Sequence, residues 1–292
     1  MSLIDTVAIA SVSLMSARAD TLADRRRAEN FPVALRALPR ALRADLVAVY
    51  DVARVIDDLG DEASGDRAAL LQAFRTDLAQ VWTTGAPKAD VLRALVPTVR
   101  RRGLDPEPFD RLVQANLLDQ RVTRYRAFPD LLAYCELSAE PVGRIVLGVF
   151  GVRDPDLERL SDRVCTALQL IEHWQDVAED RRAGRVYLPQ EDLAAHGVAE
   201  AELDAPAASP AVRGLMAFEI DRAAELLDSG APLVGRLTGW ARLAVAGYVA
   251  GGRAALDGLR RTGGDVLAAR ARTRRRDVAR HAARLIASRG AR

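Results

Sequence analysis

The stretch "LVAVYDVARVIDDLGDE" (residues 46–62) joins an apolar run to four carboxylates within its last ten residues. On an α-helix, positions i, i+4, i+7 and i+11 share one face. The polar face of this stretch comprises Tyr50, Arg54, Asp57 and Asp61, with Asp58 at its edge. The other positions are mostly apolar, so the pattern predicts a largely buried helix whose acidic stripe points inward.

A second stretch, "ALQLIEHWQDVAED" (residues 167–180), repeats this design. Its polar positions, spaced three or four residues apart, are Gln169, Glu172, Asp176 and Asp180. The remaining side chains are mainly apolar, as expected of a helix with one buried side. We assign His173 and Trp174 to the face away from the acids, where packing is their expected role.

Acidic stripes of this kind have two interpretations. Like charges four residues apart destabilise an isolated helix by about 0.2–0.5 kcal/mol per pair, so solvated acids would be expected to pair with Arg54, Arg181 and Arg182. A divalent cation also removes the repulsion, and Mg²⁺ is usually held by a few carboxylates together with substrate phosphates. Two such stripes on apolar helices, more than a hundred residues apart, favour a cradle for Mg²⁺ and a diphosphate.

The composition of the 292-residue chain favours an all-α protein. Alanine, leucine and arginine dominate, and 49% of the residues are apolar, which is typical of a bundle of long helices. We expect a single domain over 1–292 with a flexible N-terminus over 1–18. Apolar residues at helical spacing predict helices at about 19–29, 40–61, 66–83, 88–102, 106–120, 128–150, 155–180, 209–228, 232–261 and 264–288, with 197–210 as the loosest connection.

The charge balance and the cysteines exclude several classes of protein. The net charge is only +2 and Lys88 is the sole lysine, which argues against nucleic acid as a partner. Cys135 and Cys165 form no metal or redox spacing. The N-terminus lacks the positive region of a signal peptide, and no apolar run reaches the ~18–20 residues of a membrane span. These features favour a cytoplasmic protein.

The C-terminal stretch "RARTRRRDVARHAARLIASRG" (residues 270–290) predicts a basic helix within 270–292. Basic helices with an apolar side bind anionic membrane surfaces. One interpretation is therefore peripheral contact with the inner face of a membrane. An ordinary solvated last helix is the alternative, and the sequence leaves both open.

The two acidic motifs resemble those of the squalene/phytoene synthase family, all-helical enzymes that act on isoprenoid diphosphates. The motifs read "YDVARVIDDLGDE" (50–62) and "QLIEHWQDVAEDRRAGRVYLP" (169–189), and the resemblance runs from about residue 27 to 275. Other stretches are similar to the bacterial hydroxysqualene synthase branch of hopanoid biosynthesis. They are "ENFPVALRALPRALR" (29–43), "DQRVTRY" (119–125), "YCELSAEPVGRIVLGVFG" (134–151) and "GRVYLPQEDL" (184–193).

This resemblance implies an isoprenoid synthase fold, with long helices around a central cavity, and roles for individual residues. The implied Mg²⁺ ligands are Asp57, Asp58 and Asp61 in the first motif and Glu172, Asp176 and Asp180 in the second. The implied substrate contacts are Arg54, Arg185, Gln169 and Phe31. The expected catalytic set is Asp57, Asp61, Asp176, Asp180, Tyr187 and Tyr50.

Three positions depart from the family pattern. Glu172 stands where the second motif usually has asparagine, which keeps an oxygen ligand and adds a negative charge. Glu136 stands where dehydrosqualene-type enzymes have tyrosine, which weakens the expectation of their condensation chemistry. Gly264 stands where many relatives have an aromatic residue, so part of the pocket wall is expected to differ.

The leading hypothesis is Mg²⁺-dependent conversion of presqualene diphosphate and water to hydroxysqualene and diphosphate. Its nearest alternative is head-to-head condensation of two prenyl diphosphates, and a third is a non-catalytic helical partner protein. Either enzyme would take an isoprenoid diphosphate and work beside upstream or downstream enzymes of the hopanoid pathway. Tyr50, Gln169 or Glu136 could position the attacking water, and the sequence does not choose among them.

Overall fold

The computed structural model describes residues 38–268 and 271–287, and within these ranges every regular element is helical. The α-helices in chain order are α1 (Arg40–Asp61), α2 (Arg67–Thr83), α3 (Asp90–Arg102), α4 (Pro106–Asp119), α5 (Phe128–Ser138), α6 (Glu140–Val149), α7 (Pro155–Arg182), α8 (Gln190–Ala195), α9 (Pro210–Gly230), α10 (Leu233–Arg236), α11 (Gly239–Arg261) and α12 (Arg275–Ala287). A short 3₁₀ helix, Glu200–Asp204, lies between α8 and α9. The all-α prediction is confirmed.

Helix α1 forms where its apolar periodicity predicts it. Leu46, Val49, Val52 and Ile56 are buried along one side, at the three- and four-residue spacing of a helix face. Asp45, near the start, is fully buried and accepts hydrogen bonds from Thr98 (3.0 Å) and Arg102 (2.7 Å) of α3. Its carboxylate therefore ties α1 to α3 at the end of the helix remote from the acidic stripe.

The long helix α7 has a strong start signal and a deep core. Asp154 caps it by accepting the backbone N–H of Asp156 at 2.8 Å, and Pro155 takes the first helical position, where its missing N–H leaves no hydrogen bond unmade. Leu170 and Trp174 are fully buried. Burial of this apolar side fixes the rotation of α7 about its axis and hence the direction of its acidic residues.

Two of the predicted helices are each divided in the structure. The predicted helix 128–150 breaks at Ala139, because Pro141 follows in the next turn and can neither donate a backbone hydrogen bond nor fit the interior of a continuous helix. The predicted helix 232–261 breaks at Leu237, which is extended. Gly239 then opens α11 with a φ of 55°, a left-handed conformation that glycine adopts at little cost.

The last predicted helix was placed too early, and one short helix was missed. Helix α12 begins at Arg275 rather than at 264, since Gly263 and Gly264 have φ values of 61° and 80°. Helix α8 was not predicted, although Pro189 and the acidic first turn that follows it are a start signal. The predicted segments 1–18 and 19–29, and Phe31, lie outside the described residues.

Contacts group the chain into two compact units. The first comprises the described residues up to Arg121 together with Arg144–Val152, and the second comprises Val122–Gly143 with the described residues from Arg153 onward. The prediction of a single domain over 1–292 stays a prediction. Among the described residues, no helix is both long enough and apolar enough to cross a membrane.

Candidate functional site

The first acidic motif occupies the last three turns of α1 in the first unit. Asp58 is 5% exposed, and its Oδ1 lies 3.2 Å from Nε of Arg54. Asp57 and Asp61 are exposed, and Tyr50 is half-buried two turns earlier. The helix therefore presents one carboxylate to an arginine and two to solvent.

The side chain of Asp57 is exposed to solvent, but its carboxyl group is also closely surrounded by protein atoms. Desolvation raises its pKa to about 7, against the opposing effects of a hydrogen bond from Asn116 and the charge of Arg54, and the negative charges of Asp61 and Asp58 add to the rise. Accessibility together with a raised pKa is expected for the wall of a recess and is typical of functional sites. A cation at Asp57 would reverse this shift, because it stabilises the carboxylate form.

Asn116 of α4 holds the Asp57 side chain. Its Nδ2 donates to Oδ1 of Asp57 at 3.2 Å and to the carbonyl oxygen of Leu112 at the same distance. Next to it, a Cβ added at Gly60 would collide with the Asn116 side chain. The absence of a side chain at position 60 thus allows α4 to approach α1 closely enough for this hydrogen bond. The sequence reasoning missed Asn116, because 59 residues separate it from Asp57.

The second acidic motif lies in the second unit, along α7. Asp176 and Asp180 are half-buried, Gln169 is half-buried one turn before His173, and Glu172 is exposed. His173 is 6% exposed and its Nδ1 lies 3.8 Å from Oδ2 of Asp180. The assignment of His173 to the face away from the acids was therefore wrong. Gln169, His173, Asp176 and Asp180 form an i, i+4, i+7, i+11 series, and that spacing alone indicated a shared face.

The chain that follows α7 returns to the same face. Asp180, Arg185 and Tyr187 line one small cavity, together with His173 and the apolar side chains of Val177, Val186, Leu188 and Leu203. The backbone N–H of Arg185 donates to the carbonyl oxygen of Asp180 at 2.8 Å, which closes this turn. A carboxylate, a guanidinium and an aromatic ring, all predicted as site residues, are thus brought together.

The ring of Tyr187 belongs to an aromatic cluster. It stacks on the imidazole of His173, with ring centroids 3.6 Å apart and planes at 15°, and on Tyr125 at 5.7 Å and 20°. Tyr134 of α5 lies 5.7 Å from it in a tilted arrangement. Rings held on several sides cannot change rotamer independently, so the orientation of Tyr187 is set by packing.

A network of arginines ties down the segment that carries Arg185 and Tyr187. Arg124 makes two hydrogen bonds to Glu200, at 2.7 and 2.8 Å, and Arg181 makes two to Asp204, both at 2.8 Å. Arg181 also pairs with Glu200. The hydrogen bond from Arg124 is the main reason that the pKa of Glu200 is lowered. Arg181, just before the segment, and Arg124, which hydrogen-bonds to the carbonyl oxygen of Gly184, are thereby fixed to the 3₁₀ helix.

Helix α8 begins directly after this segment and is anchored to α9. Arg222 donates to Asp192 at 2.8 Å, and its guanidinium lies over the rings of Phe128 (4.0 Å) and Phe218 (4.3 Å). Glu219, fully buried, faces Arg222 at 3.4 Å. Burial is the main reason that the pKa of Glu219 is raised to about 8. The charge and the hydrogen bond of Asp192 also raise this pKa, and together these effects outweigh the lowering by the charge of Arg222.

Glu219 gives a testable pH dependence of stability. The folded protein keeps a proton up to about pH 8, whereas the unfolded chain releases it near the ordinary value of 4.5. The free energy of unfolding should therefore fall as the pH rises from 4.5 to 8, by up to about 5 kcal/mol. Glu219→Gln, which keeps the side chain uncharged, should flatten this fall in urea unfolding curves. Glu225→Gln, an exposed position on the same helix, is the control, and a stability that rises over this range would contradict the assignment.

The acidic residues are of the type that binds Mg²⁺ together with the phosphates of a substrate. Within residues 38–268 and 271–287, no three His, Cys, Asp or Glu side chains converge to form a metal cage. Mg²⁺ does not need such a cage, because it commonly takes one or two carboxylates and completes its shell with water and substrate phosphates. The exposed pair Asp57 with Asp61 and the half-buried pair Asp176 with Asp180 could supply oxygen ligands of this type.

Two of the departures from the family pattern have a structural context. At Gly264, φ is 80°, and an added Cβ would lie 2.8 Å from the carbonyl oxygen of Arg213. An aromatic residue therefore does not fit this backbone, so the departure belongs to the local fold. Glu136 is an exposed residue of α5, whereas Tyr134, two residues before it, is buried in the aromatic cluster.

Comparisons with known proteins agree with this picture. A profile of the squalene/phytoene synthase family matches residues 24–277. A 15-cis-phytoene synthase from Synechococcus elongatus is 32% identical over 70% of this chain and 70% of its own. A hydroxysqualene synthase from Zymomonas mobilis is 34% identical over 68% of this chain and 67% of its own.

A solved structure shows the same fold. The crystal structure of squalene synthase HpnC from Alicyclobacillus acidocaldarius is 39% identical, with a TM-score of 0.78, over 88% of this chain and 98% of that one. The prediction of an all-α fold of the isoprenoid synthase type is thereby confirmed.

Proposed function

Because the chain belongs to the squalene/phytoene synthase family, whose members are prenyltransferase-type enzymes, we propose that it converts presqualene diphosphate and water to hydroxysqualene and diphosphate. The observation that carries the proposal is the proximity of Asp180, Arg185 and Tyr187, which meet around one small cavity. Departure of a diphosphate needs an oxygen ligand for a cation, a positive group for the leaving anion and a ring for the carbocation. These three residues supply one of each.

The diphosphate end of the substrate is assigned to the charged residues. Bound Mg²⁺ would neutralise the leaving diphosphate, and its ligands would be Asp57, Asp61, Asp176 and Asp180, with Glu172 beside them. Arg54 and Arg185 would hold phosphate oxygens, which guanidinium groups do with paired hydrogen bonds. Asp58, buried against Arg54, orients that arginine and is not the main metal ligand.

The hydrocarbon end is assigned to the aromatic and apolar residues. Tyr187 would present its ring to the carbocation, a contact worth about 0.5–2 kcal/mol, and Tyr50 and Phe31 are candidates for the same role. Limiting access of bulk water is needed so that one water alone attacks the cation. Gln169 already hydrogen-bonds to His173, which leaves its carbonyl oxygen for that water.

Head-to-head condensation of two prenyl diphosphates is the alternative. The relatives include a phytoene synthase and a hydroxysqualene synthase at similar identity, so identity does not separate the two reactions. Two features favour the water-consuming reaction: the stretches shared with the hydroxysqualene branch and the departure from tyrosine at Glu136. A non-catalytic partner protein is disfavoured, because both acidic motifs keep their Asp pairs. The proposed reaction needs one enzyme that makes presqualene diphosphate and another that consumes hydroxysqualene.

One assay tests the proposed reaction. The purified protein with Mg²⁺ is given either farnesyl diphosphate or presqualene diphosphate, and the lipid products are identified by mass spectrometry. We expect hydroxysqualene from presqualene diphosphate and no consumption of farnesyl diphosphate alone. Consumption of farnesyl diphosphate would identify a condensing enzyme, and turnover of neither substrate would favour the partner protein.

We further propose that the enzyme touches an anionic membrane through the first turn of α11 and the end of α12. Trp240 and Leu243 lie one turn apart and are 39% and 45% exposed, and Ile286 is 45% exposed. Arg242 donates to the carbonyl oxygen of Ile286 at 2.9 Å, which joins them into one surface. Residues 270–292 contain nine arginines and one aspartate. Apolar side chains beside dense positive charge are complementary to anionic lipid headgroups.

Vesicle sedimentation tests this contact. The protein should bind phosphatidylglycerol vesicles, bind neutral phosphatidylcholine vesicles much less, and dissociate in high salt. Trp240→Ser with Leu243→Ser should lower the partition coefficient at least fivefold, and Arg284→Gln, in the last turn of α12, about fivefold. Arg93→Gln with Arg100→Gln is the matched control for charge in the first unit. Equal binding by all variants would contradict the proposed surface.

A further inference from the structure

His173 stands at the centre of the second acidic motif without a role in the proposed function. It lies one turn from Gln169 and two turns from Asp180 on the same face of α7, and its ring stacks on that of Tyr187 at 3.6 Å. It is 6% exposed. A buried imidazole needs partners for both nitrogens, because an unsatisfied polar group in a protein interior costs about 1–3 kcal/mol.

The first nitrogen determines the position of the proton. Nδ1 and Nε2 of a neutral histidine are one donor and one acceptor. Nε2 lies 3.1 Å from the amide nitrogen of Gln169, and that amide nitrogen can only donate. With the amide of Gln169 in this orientation, Nε2 is the acceptor and the imidazole proton is on Nδ1.

The second nitrogen, Nδ1, is separated from the Asp180 carboxylate by a distance that one water molecule can bridge. Nδ1 lies 3.8 Å from Oδ2 of Asp180, which is too far for a direct hydrogen bond. Polar groups at such a distance are commonly joined through a water molecule. His173 and Asp180 both line the cavity described above, whose volume is about 10 Å³, close to the smallest space that holds one water. Arg185 and Tyr187 add further polar groups to its wall.

We propose that this cavity binds one water molecule, which accepts a hydrogen bond from Nδ1–H of His173 and donates one to Oδ2 of Asp180. Through this water and through the ring stack, His173 is a positioning residue for Asp180 and Tyr187. The hydrogen bond from Gln169 fixes the tautomer that the arrangement requires. The water site stands on geometry alone, whereas its effect on metal binding rests on the proposed function.

Nuclear magnetic resonance of ¹⁵N-histidine-labelled protein tests the water site without turnover. The chain has three histidines, so His196→Gln and His281→Gln assign the remaining signals to His173. We expect the tautomer with its proton on Nδ1, and a crystal structure at high resolution should show one water within hydrogen-bond distance of Nδ1 and Asp180. A proton on Nε2, or a cavity without a water, would overturn the proposal.

Metal binding tests the positioning role. His173→Phe keeps a stacking ring and removes both nitrogens, and His281→Phe is the same substitution in α12. Binding of Mn²⁺ in the presence of inorganic diphosphate, followed by electron paramagnetic resonance, should weaken at least tenfold in His173→Phe, as is typical when a partner of a metal ligand is lost. His173→Phe that binds like the wild type or like His281→Phe would refute the role. If the wild type bound no Mn²⁺, the proposed metal site would fail, and the water site would still be decided by the resonance and crystal results.

Discussion

Replacing Asp57 or Asp176 by asparagine should lower turnover of the diphosphate substrate by about a hundredfold to a thousandfold. In the proposed site, loss of one carboxylate would remove a Mg²⁺ ligand and an electrostatic contact that matters most when the diphosphate departs, and removing one such contact commonly costs ~10²–10³ in rate. Asparagine has nearly the shape of aspartate, so the helices should remain folded. At position 57 it also removes a charge whose presence is opposed by desolvation, so the variant should be no less stable than the wild type.

Steady-state rates and far-ultraviolet circular dichroism, measured on the same samples, check both parts of this expectation. Glu179→Gln is the control, because Glu179 is an exposed acid that directly precedes Asp180 in α7. Its rate should stay within about threefold of the wild type, the range expected when a surface charge outside the site is lost. A rate within tenfold of the wild type for either aspartate variant would contradict the role of these carboxylates in binding Mg²⁺.

Replacing Trp174 by alanine should have the largest effect on stability, about 3–5 kcal/mol. The side chain is fully buried and is the largest such side chain among the described residues. It directly follows His173 in α7 and lies two positions before Asp176, so its packing holds the helix that presents the acids. A cavity of this size should also loosen the geometry of the site.

Trp174→Phe separates loss of volume from loss of the indole. Nε1 of Trp174 has no hydrogen-bond acceptor among the described residues, so phenylalanine forfeits contacts without breaking a hydrogen bond. Urea unfolding should show a cost of roughly 1–2 kcal/mol for phenylalanine and at least twice that for alanine. Costs below 1 kcal/mol for both variants would show that Trp174 does not anchor α7.

Helix α1 was predictable from the sequence almost residue by residue, whereas the roles of its acids were not. Its bounds agree with the predicted 40–61, because an uninterrupted apolar stripe and Pro39 before its start are local signals. Whether Asp57 or Asp58 is buried depends on Arg54 and on Asn116 of another helix. A helical periodicity gives the face of a residue but not the partner that approaches that face.

The second motif shows the same division between local and tertiary information. The spacing of Asp176 and Asp180 and the presence of Arg185 and Tyr187 after them were read from the sequence. The role of His173 was missed there, since an imidazole beside a tryptophan was interpreted as packing. Its spacing from Gln169 and Asp180 was visible, but the stack with Tyr187 arises only because the chain turns back after Gly184, whose φ is 83°.

That returning segment, from Ala183 to Leu188, has no regular helix of its own, yet it is fastened along its length. Val186 donates to the carbonyl oxygen of Thr123 at 2.9 Å, and Arg124 reaches the carbonyl oxygen of Gly184 at 2.6 Å. Its conformational entropy is thus removed when the protein folds. A flexible loop would lose that entropy each time a substrate bound, at about 1–2 kcal/mol per residue ordered. In the proposed reaction, Arg185 and Tyr187 would therefore meet the substrate already in place, and binding free energy would remain available for the ionisation step.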